Sequence, residues 1–245
     1  MMSAMIDLWF SPTPNGLKAR LALEEAGLSY RIVPVRLSAG EQYAPAFTAI
    51  SPNNRIPAIV DHDPGDRDGP LSIFESGAIL LYVAERSGRL LPQDERGRLE
   101  ALQWLFWQVS ALGPMAGQAG YFRIYAPRPV PEAIERYTSE LRRLYGVLER
   151  RLEGRTWLAG DAYSLADLAV YPWIVPHAAH GQTLARHPHL ERWFARIAAR
   201  DATRRVYDGV EDVYSGTPDL SAEARQALFG RGDAEQRSAH ATVDL

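Results

Sequence analysis

Glu75 and Ser76 stand side by side in "FESGAI" (74–79), where a β-rich run hands over to a helical one. The first N–H groups of a helix and its dipole favour an anion, and a serine hydroxyl adds a donor. A carboxylate beside them can hold an ammonium group. Carboxylate and ammonium held together is the chemistry of an amino-acid moiety. The structural alternative is Ser76 as an ordinary N-cap. "SPTPNG" (11–16) poses a similar choice. Pro12, Pro14, Asn15 and Gly16 are turn formers, and Ser11 and Thr13 add hydroxyls just ahead of a helix. By itself the stretch reads as a tight strand-to-helix loop whose polar side chains cap orphan N–H groups.

"NRIPAIV" (54–60) sets Pro57 at the start of a strand. A cis bond there would turn the Ile56 backbone outward, leaving its N–H and C=O for an extended peptide ligand. A trans proline opening a strand is the alternative. "YSLADLAVY" (163–171) fits S-x-x-D, with Ser164 as N-cap, Asp167 reaching back, and Tyr163 with Leu168 as a hydrophobic staple. This motif is structural. His177, His180, His187 and His189 cluster without an acidic residue at zincin spacing, so no metal is expected. Trp104, Phe106 and Trp107 suit a core or a dimer contact. Tyr121, Phe122 and Tyr125 suit a core or the wall of an apolar pocket.

The elements that must position these residues follow from periodicity and turn chemistry. Strands are expected at 5–10, 30–37, 56–61 and 71–74, with Pro34 marking an edge or a bulge. Helices are expected at 16–27 and 75–88, with a short one at 45–50. The order β-α-β, connection, β-β-α gives a mixed sheet of about four strands covered by helices, the arrangement of a thioredoxin-like α/β domain over 1–88. "RLLPQD" bridges 89–94. Beyond it the pattern is helical: 96–113, a break at 126–131, a strongly amphipathic stretch at 132–154, then 164–175 and 190–200. An all-helical bundle is expected over 95–214. The polar segment 215–245 forms an extension expected to be partly disordered.

Composition narrows the function classes. The chain has 245 residues, a net charge of -3 and no cysteine. Neither half is basic, which argues against nucleic acid or an anionic membrane as partner. No apolar run reaches the ~20 residues of a membrane span, and the start carries no secretory pattern, so a cytoplasmic location is expected. Without cysteine the chain has no disulfide, zinc-thiolate or thiol nucleophile of its own. Lys18 is its single lysine; no function is read from that bias.

Taken together, "RIPAIV", "FESGAILLYVAE" and the "SLADLAVYPW" capping box before a helical domain resemble the cytosolic glutathione transferase family over about 5–207. "SPTPNG", "ISPNNRIPAIVDH", "LQWLFWQV" and "AIERY" are similar to its nu class of bacterial disulfide-bond reductases. The resemblance implies a homodimer that binds glutathione. It implies that Glu75 and Ser76 hold the γ-glutamyl group and that Ile56, before a cis Pro57, pairs with the cysteinyl backbone. Gln42 and Arg55 would face the glycyl end, Thr13 and Asn15 the sulfur, and Arg136 would approach from the helical domain. Many relatives activate the thiol with a Tyr near the end of the first strand, but no Tyr precedes Tyr30 here. Others use a Ser, which keeps Ser11 as a rival.

The leading functional expectation is a glutathione-dependent disulfide-bond oxidoreductase. A chain without cysteine must take the reactive sulfur from its ligand, so glutathione, reduced or oxidised, is the expected cosubstrate. Two alternatives stand beside it. One is a transferase that conjugates glutathione to organic electrophiles. The other is a non-catalytic glutathione-binding protein on the same scaffold.

Overall fold

A computed structural model of the chain describes residues 5–65, 69–210 and 220–230. Among these, four strands form one sheet in the order β2-β1-β3-β4. The strands are β1 (Ile6–Phe10), β2 (Tyr30–Pro34), β3 (Ala58–Asp61) and β4 (Leu71–Phe74). β2 runs parallel to β1, while β3 is antiparallel to both β1 and β4. The parallel pair needs a crossover, which α1 (Pro14–Ala26) supplies. The antiparallel pair β3–β4 leads into α3 (Ser76–Ser87). β1 is central and almost wholly buried, whereas β2 lies at the edge, where Pro34 costs no ladder bond to a further strand.

Both sheet faces are covered. α2 (Pro45–Thr48) lays Phe47 against Val35 and Ala58 on one face. On the other, Leu8, Leu21, Ile59 and Ile79 join a core that continues through Leu105, Leu144, Leu165 and Leu168 of the helical region. The sheet unit and the bundle therefore share one core across the contact of α1 with α7 (Leu165–Ile174).

The bundle consists of α4 (Glu95–Trp107), α5 (Gly113–Gly120), α6 (Pro131–Leu152), α7, α8 (Pro188–Ala198) and α9 (Asp201–Tyr207). π-helical turns at Gln108–Leu112 and Tyr121–Tyr125 join α4 and α5 into one helical path that breaks at Ala126. The sequence predicts helix only to 113, because "GPMAGQAG" lacks side chains with helical periodicity. The path continues because the wider π turn precedes Pro114. Its glycines also make room. A Cβ on Gly113 would meet the Gln108 side chain at 2.7 Å, and one on Gly117 would touch Trp173 at 3.6 Å.

The capping box forms as expected. Ser164 and Leu158 donate backbone N–H groups to Asp167 at 3.0 Å each, and the Trp193 indole adds a third bond at 2.7 Å. Of the polar extension only 220–230 are described; 215–219 and 231–245 lie outside the described residues. The described part contains α10 (Ala222–Phe229), capped by Ser221. This element is not expected from sequence, and it packs back over the residues around 37–39.

Candidate active site

The loop from β1 into α1 shows what the turn formers do. Thr13 is the N-cap, and its hydroxyl oxygen accepts from Gly16 N at 3.3 Å. Pro14 takes the first helical position, where its missing N–H leaves no gap in the ladder. Gly16 is required by space: a Cβ there would sit 2.1 Å from the Ser11 carbonyl oxygen. Asn15 follows the cap, and its Oδ1 accepts from the Trp173 indole N–H of α7 at 3.0 Å. That bond orients the amide of a residue that lines two cavities.

The cavity measures about 890 Å³ and lies between sheet unit and bundle, a size suited to a small-molecule ligand. Its polar end is formed by Asn15, Lys18, Arg55, Glu75 and Ser76, and its other end by Tyr121, Phe122, Leu228 and Phe229. A second cavity of about 300 Å³ shares Asn15, Arg55, Glu75 and Ser76, and adds Asn53, Ile56 and Pro57. The Ile56–Pro57 peptide is cis. Glu75 adopts φ 68°, a region that non-glycine residues rarely occupy, and places Ser76 at the start of α3. Asn54 also has a positive φ, and its amide ties Gln42 O to Thr48 Oγ1.

The most unusual group was not singled out by sequence. Lys18 lies one turn into α1 and is fully buried. Its Nζ donates to Gln108 Oε1 at 2.6 Å and to Ser76 Oγ at 3.1 Å. Burial pushes its pKa down to about 7, against the pull of Glu75. Gln108, on the first π turn, is equally buried and reaches Lys18 from the bundle side.

The structure gathers Asn15, Arg55, Ile56, Pro57, Glu75 and Ser76 into one region. Three other sequence-derived candidates lie elsewhere. Thr13 borders neither cavity, since its side chain turns to its own helix. Gln42 is buried, and its amide donates to Ala227 O of α10 at 2.9 Å, so α10 holds the group expected at the glycyl end. Arg136 is exposed on α6 and borders neither cavity. Ser11 also lies outside both.

Sequence reasoning missed Lys18, Gln108, Trp173 and Phe229. Lys18 sits three residues after Asn15, on the same helix face, which is the one available hint. The aromatic candidates divide. Tyr121 and Phe122 border the cavity, while Tyr125 packs against Phe229 at 5.2 Å. Phe122 stacks on Tyr137 at 5.5 Å. His180 stacks on Trp173, and burial drives its pKa down to about 4. His177 and His187 pack on Phe194 and Tyr145. Among the described residues no three His, Asp or Glu side chains come together as metal ligands.

A thioredoxin-like sheet joined to a helical bundle, with a polar cleft at the start of α1 and α3, defines a two-domain class of ligand-binding proteins. The chain belongs to the glutathione S-transferase family. Residues 5–85 match the model of the glutathione S-transferase N-terminal domain, and 112–201 that of the C-terminal domain. The chain is 54% identical over 199 residues to the disulfide-bond oxidoreductase YfcG of Escherichia coli K12, covering 81% of this chain and 93% of that one. A glutathione transferase family member from Pseudomonas fluorescens, crystallised with two glutathione molecules, superposes with a TM-score of 0.77 at 42% identity, covering 83% of this chain and 92% of that one. A glutathione transferase from Pseudomonas putida, with one glutathione disulfide per subunit, gives 0.78 at 39%, covering 84% and 91%.

Proposed function

We propose that this protein is a glutathione-dependent disulfide-bond oxidoreductase in which Asn15 steadies the reactive sulfur. The observation that carries the reading is the Asn15 amide, held by Trp173 at the border of two cavities in a chain without cysteine. The sulfur must then be the ligand's. Bound glutathione attacks a disulfide as thiolate, forming a mixed disulfide and releasing one thiolate, which takes a proton from solvent. A second glutathione attacks the glutathionyl sulfur of the mixed disulfide and releases the other thiol. Two thiols of glutathione are oxidised to glutathione disulfide for each substrate disulfide reduced.

In this reading Glu75 and Ser76 hold the γ-glutamyl ammonium and carboxylate, and Ile56 pairs through its backbone with the ligand. Arg55 faces the glycyl end. Gln42 joins it there once α10 yields its amide, and Arg136 closes from α6. Thr13 contributes by capping the start of α1 on which Asn15 sits. A free thiol of pKa about 8.5 must fall by about two units to be mostly thiolate at neutral pH, roughly 2.7 kcal/mol. The α1 terminus supplies ~0.3–1 kcal/mol, up to ~2 when partly buried. One hydrogen bond to a charged group adds ~1.5–3 kcal/mol. Dipole and Asn15 together suffice without a dedicated base. Replacing Asn15 with Ala is expected to lower disulfide reduction about 10- to 150-fold; unchanged kcat/KM would remove Asn15 from the chemistry.

The aromatic end, Tyr121, Phe122 and Phe229, favours a second reading in which an apolar electrophile receives the sulfur. Parallel assays with a small alkyl disulfide and a halonitroarene separate the two. Turnover of neither, with glutathione still bound, would point to the non-catalytic alternative.

The same reading divides the chain into a glutathione-binding unit 1–88, a connector 89–94 and a helical unit 95–214, with 215–245 beyond. It includes a homodimer. Leu99 and Phe106 on α4 are 57% and 64% exposed, and Phe74 adds 38% from β4. Such side chains suit burial against a second copy. Light scattering at micromolar concentration is expected to give twice the monomer mass, and a stable monomer would contradict it. Among the described residues no helix is long and apolar enough to cross a membrane. A cytoplasmic location goes with a reaction that draws on the reduced glutathione pool.

A further inference from the structure

We infer that Lys18 is a positioning residue of the glutathione site that takes up a proton from solvent as the ligand's γ-glutamyl carboxylate settles on Ser76. The inference rests on the glutathione reading and goes beyond it by assigning a proton to a group outside the expected contact set.

The geometry is specific. Lys18 Nζ is bonded from two sides, by Ser76 Oγ of the sheet unit and Gln108 Oε1 of the bundle. An ammonium has three donors, and these two acceptors are its bonded partners among the described residues. Lys18 also borders the main cavity. A neutral amine has only the two donors already used, so proton uptake supplies the third donor for whatever fills that space. Because Ser76 Oγ accepts from Lys18, its own proton is free to donate outward. A carboxylate on that hydroxyl lies no more than about 6 Å from Nζ, by adding one hydrogen-bond length to the observed 3.1 Å. At that distance inside a protein a negative charge strongly favours the protonated amine.

The surrounding charges leave Lys18 responsive to the ligand. Glu75 is the charged group whose field reaches it and raises its pKa; the ligand's ammonium on Glu75 would weaken that pull, and the nearer carboxylate on Ser76 outweighs the loss. Arg55 and Tyr43 line the same cavity. On α1 itself Arg20 bonds Tyr30 and Val206 O, Glu24 bonds Arg205, and Glu25 bonds Arg200. α7 carries Asp167, which is occupied by its capping box. Glu85 and Arg86 sit in the last turns of α3, away from Ser76 at its start, and are bound to Arg98 and Asp61. With burial holding the unliganded amine near a pKa of about 7, a small field change moves its proton occupancy at neutral pH.

Because the chain has one lysine, protein labelled with 13C at lysine Cε gives one side-chain resonance to titrate. S-methylglutathione is the probe, since it has no ionisable thiol. The expected result is a titration midpoint that rises by about one pH unit on saturation. Calorimetry in two buffers of different ionisation enthalpy should show net proton uptake. Affinity should fall up to about tenfold between pH 6 and 8.5 as uptake is lost. In Lys18→Met, affinity should drop roughly tenfold at pH 6 and lose its pH slope. If Lys18→Met does not fold, the wild-type resonance still decides. Binding of S-methylglutathione with an unmoved Lys18 midpoint and no proton uptake overturns this inference alone. No binding to the wild type overturns the glutathione reading and this inference with it.

Discussion

Two of the hydroxyl-capped helix starts, α1 at Thr13 and α7 at Ser164, have a buried charge close by. At α7 the charge is Asp167, which accepts from Ser164 N, Leu158 N and Trp193 Nε1 and lines neither of the two site cavities. At α1 the charge is Lys18, which has two acceptors and borders open space. Asn15 at that start is likewise only half engaged among the described residues, with its carbonyl bonded and its NH2 group left over. A helix start whose donors and acceptors are matched from within stabilises the fold. One left incomplete beside a cavity can be completed by a ligand. The composition of the two starts is similar, and the difference lies in what the rest of the chain brings to them.

The comparison can be broken most severely at α7. Asp167→Ala takes the acceptor from the buried Ser164 and Leu158 N–H groups, the Ser164 hydroxyl and the Trp193 indole, and is expected to cost about 3–5 kcal/mol. A urea midpoint measures that loss, while kcat/KM per folded molecule should stay near wild type. A large activity loss with intact stability would erase the distinction between the two starts.

At α1 the expected signature is pH dependence of stability. Lys18 has a folded pKa of about 7, below its ordinary 10.5, so the native state binds fewer protons than the unfolded chain in that window. Stability therefore rises with pH from 7 towards 10.5 and is lost as pH falls through the same range. Between pH 7 and 9 the rise is about 2 kcal/mol from this group. Lys18→Met should flatten it, and an unchanged slope in denaturant unfolding would mean that Lys18 is not held as described.

The smallest effect belongs to the cap itself. Thr13→Ala is expected to cost ~1 kcal/mol of stability and to reduce disulfide turnover less than Asn15→Ala does, because Thr13 borders neither cavity. Turnover falling further in Thr13→Ala than in Asn15→Ala would reverse the two roles.

Local chemistry made much of this legible. The three- and four-residue spacing of Leu141, Leu144 and Leu148 reads directly as α6, and S-x-x-D as the α7 cap, because both depend on residues within a turn or two. The sheet order follows from one crossover and one antiparallel pair. What could not be read depends on distant partners. Trp173 reaches Asn15 across 158 residues of chain. Lysine is ordinarily a surface residue, and only the convergence of α1, α3 and the Gln108 turn buries Lys18. α10 is short and polar, with few apolar contacts until Phe229 meets Tyr121 and Tyr125.

The most direct test of the central claim is the pKa of the thiol of bound glutathione, followed by ultraviolet absorbance of the thiolate in wild type, Asn15→Ala and Ser11→Ala. The account predicts a wild-type value about two units below the free thiol, a return upward by about one to two units in Asn15→Ala, and little change in Ser11→Ala. A value that rises in Ser11→Ala and stays low in Asn15→Ala would make Ser11 the activating residue and contradict the role assigned to Asn15.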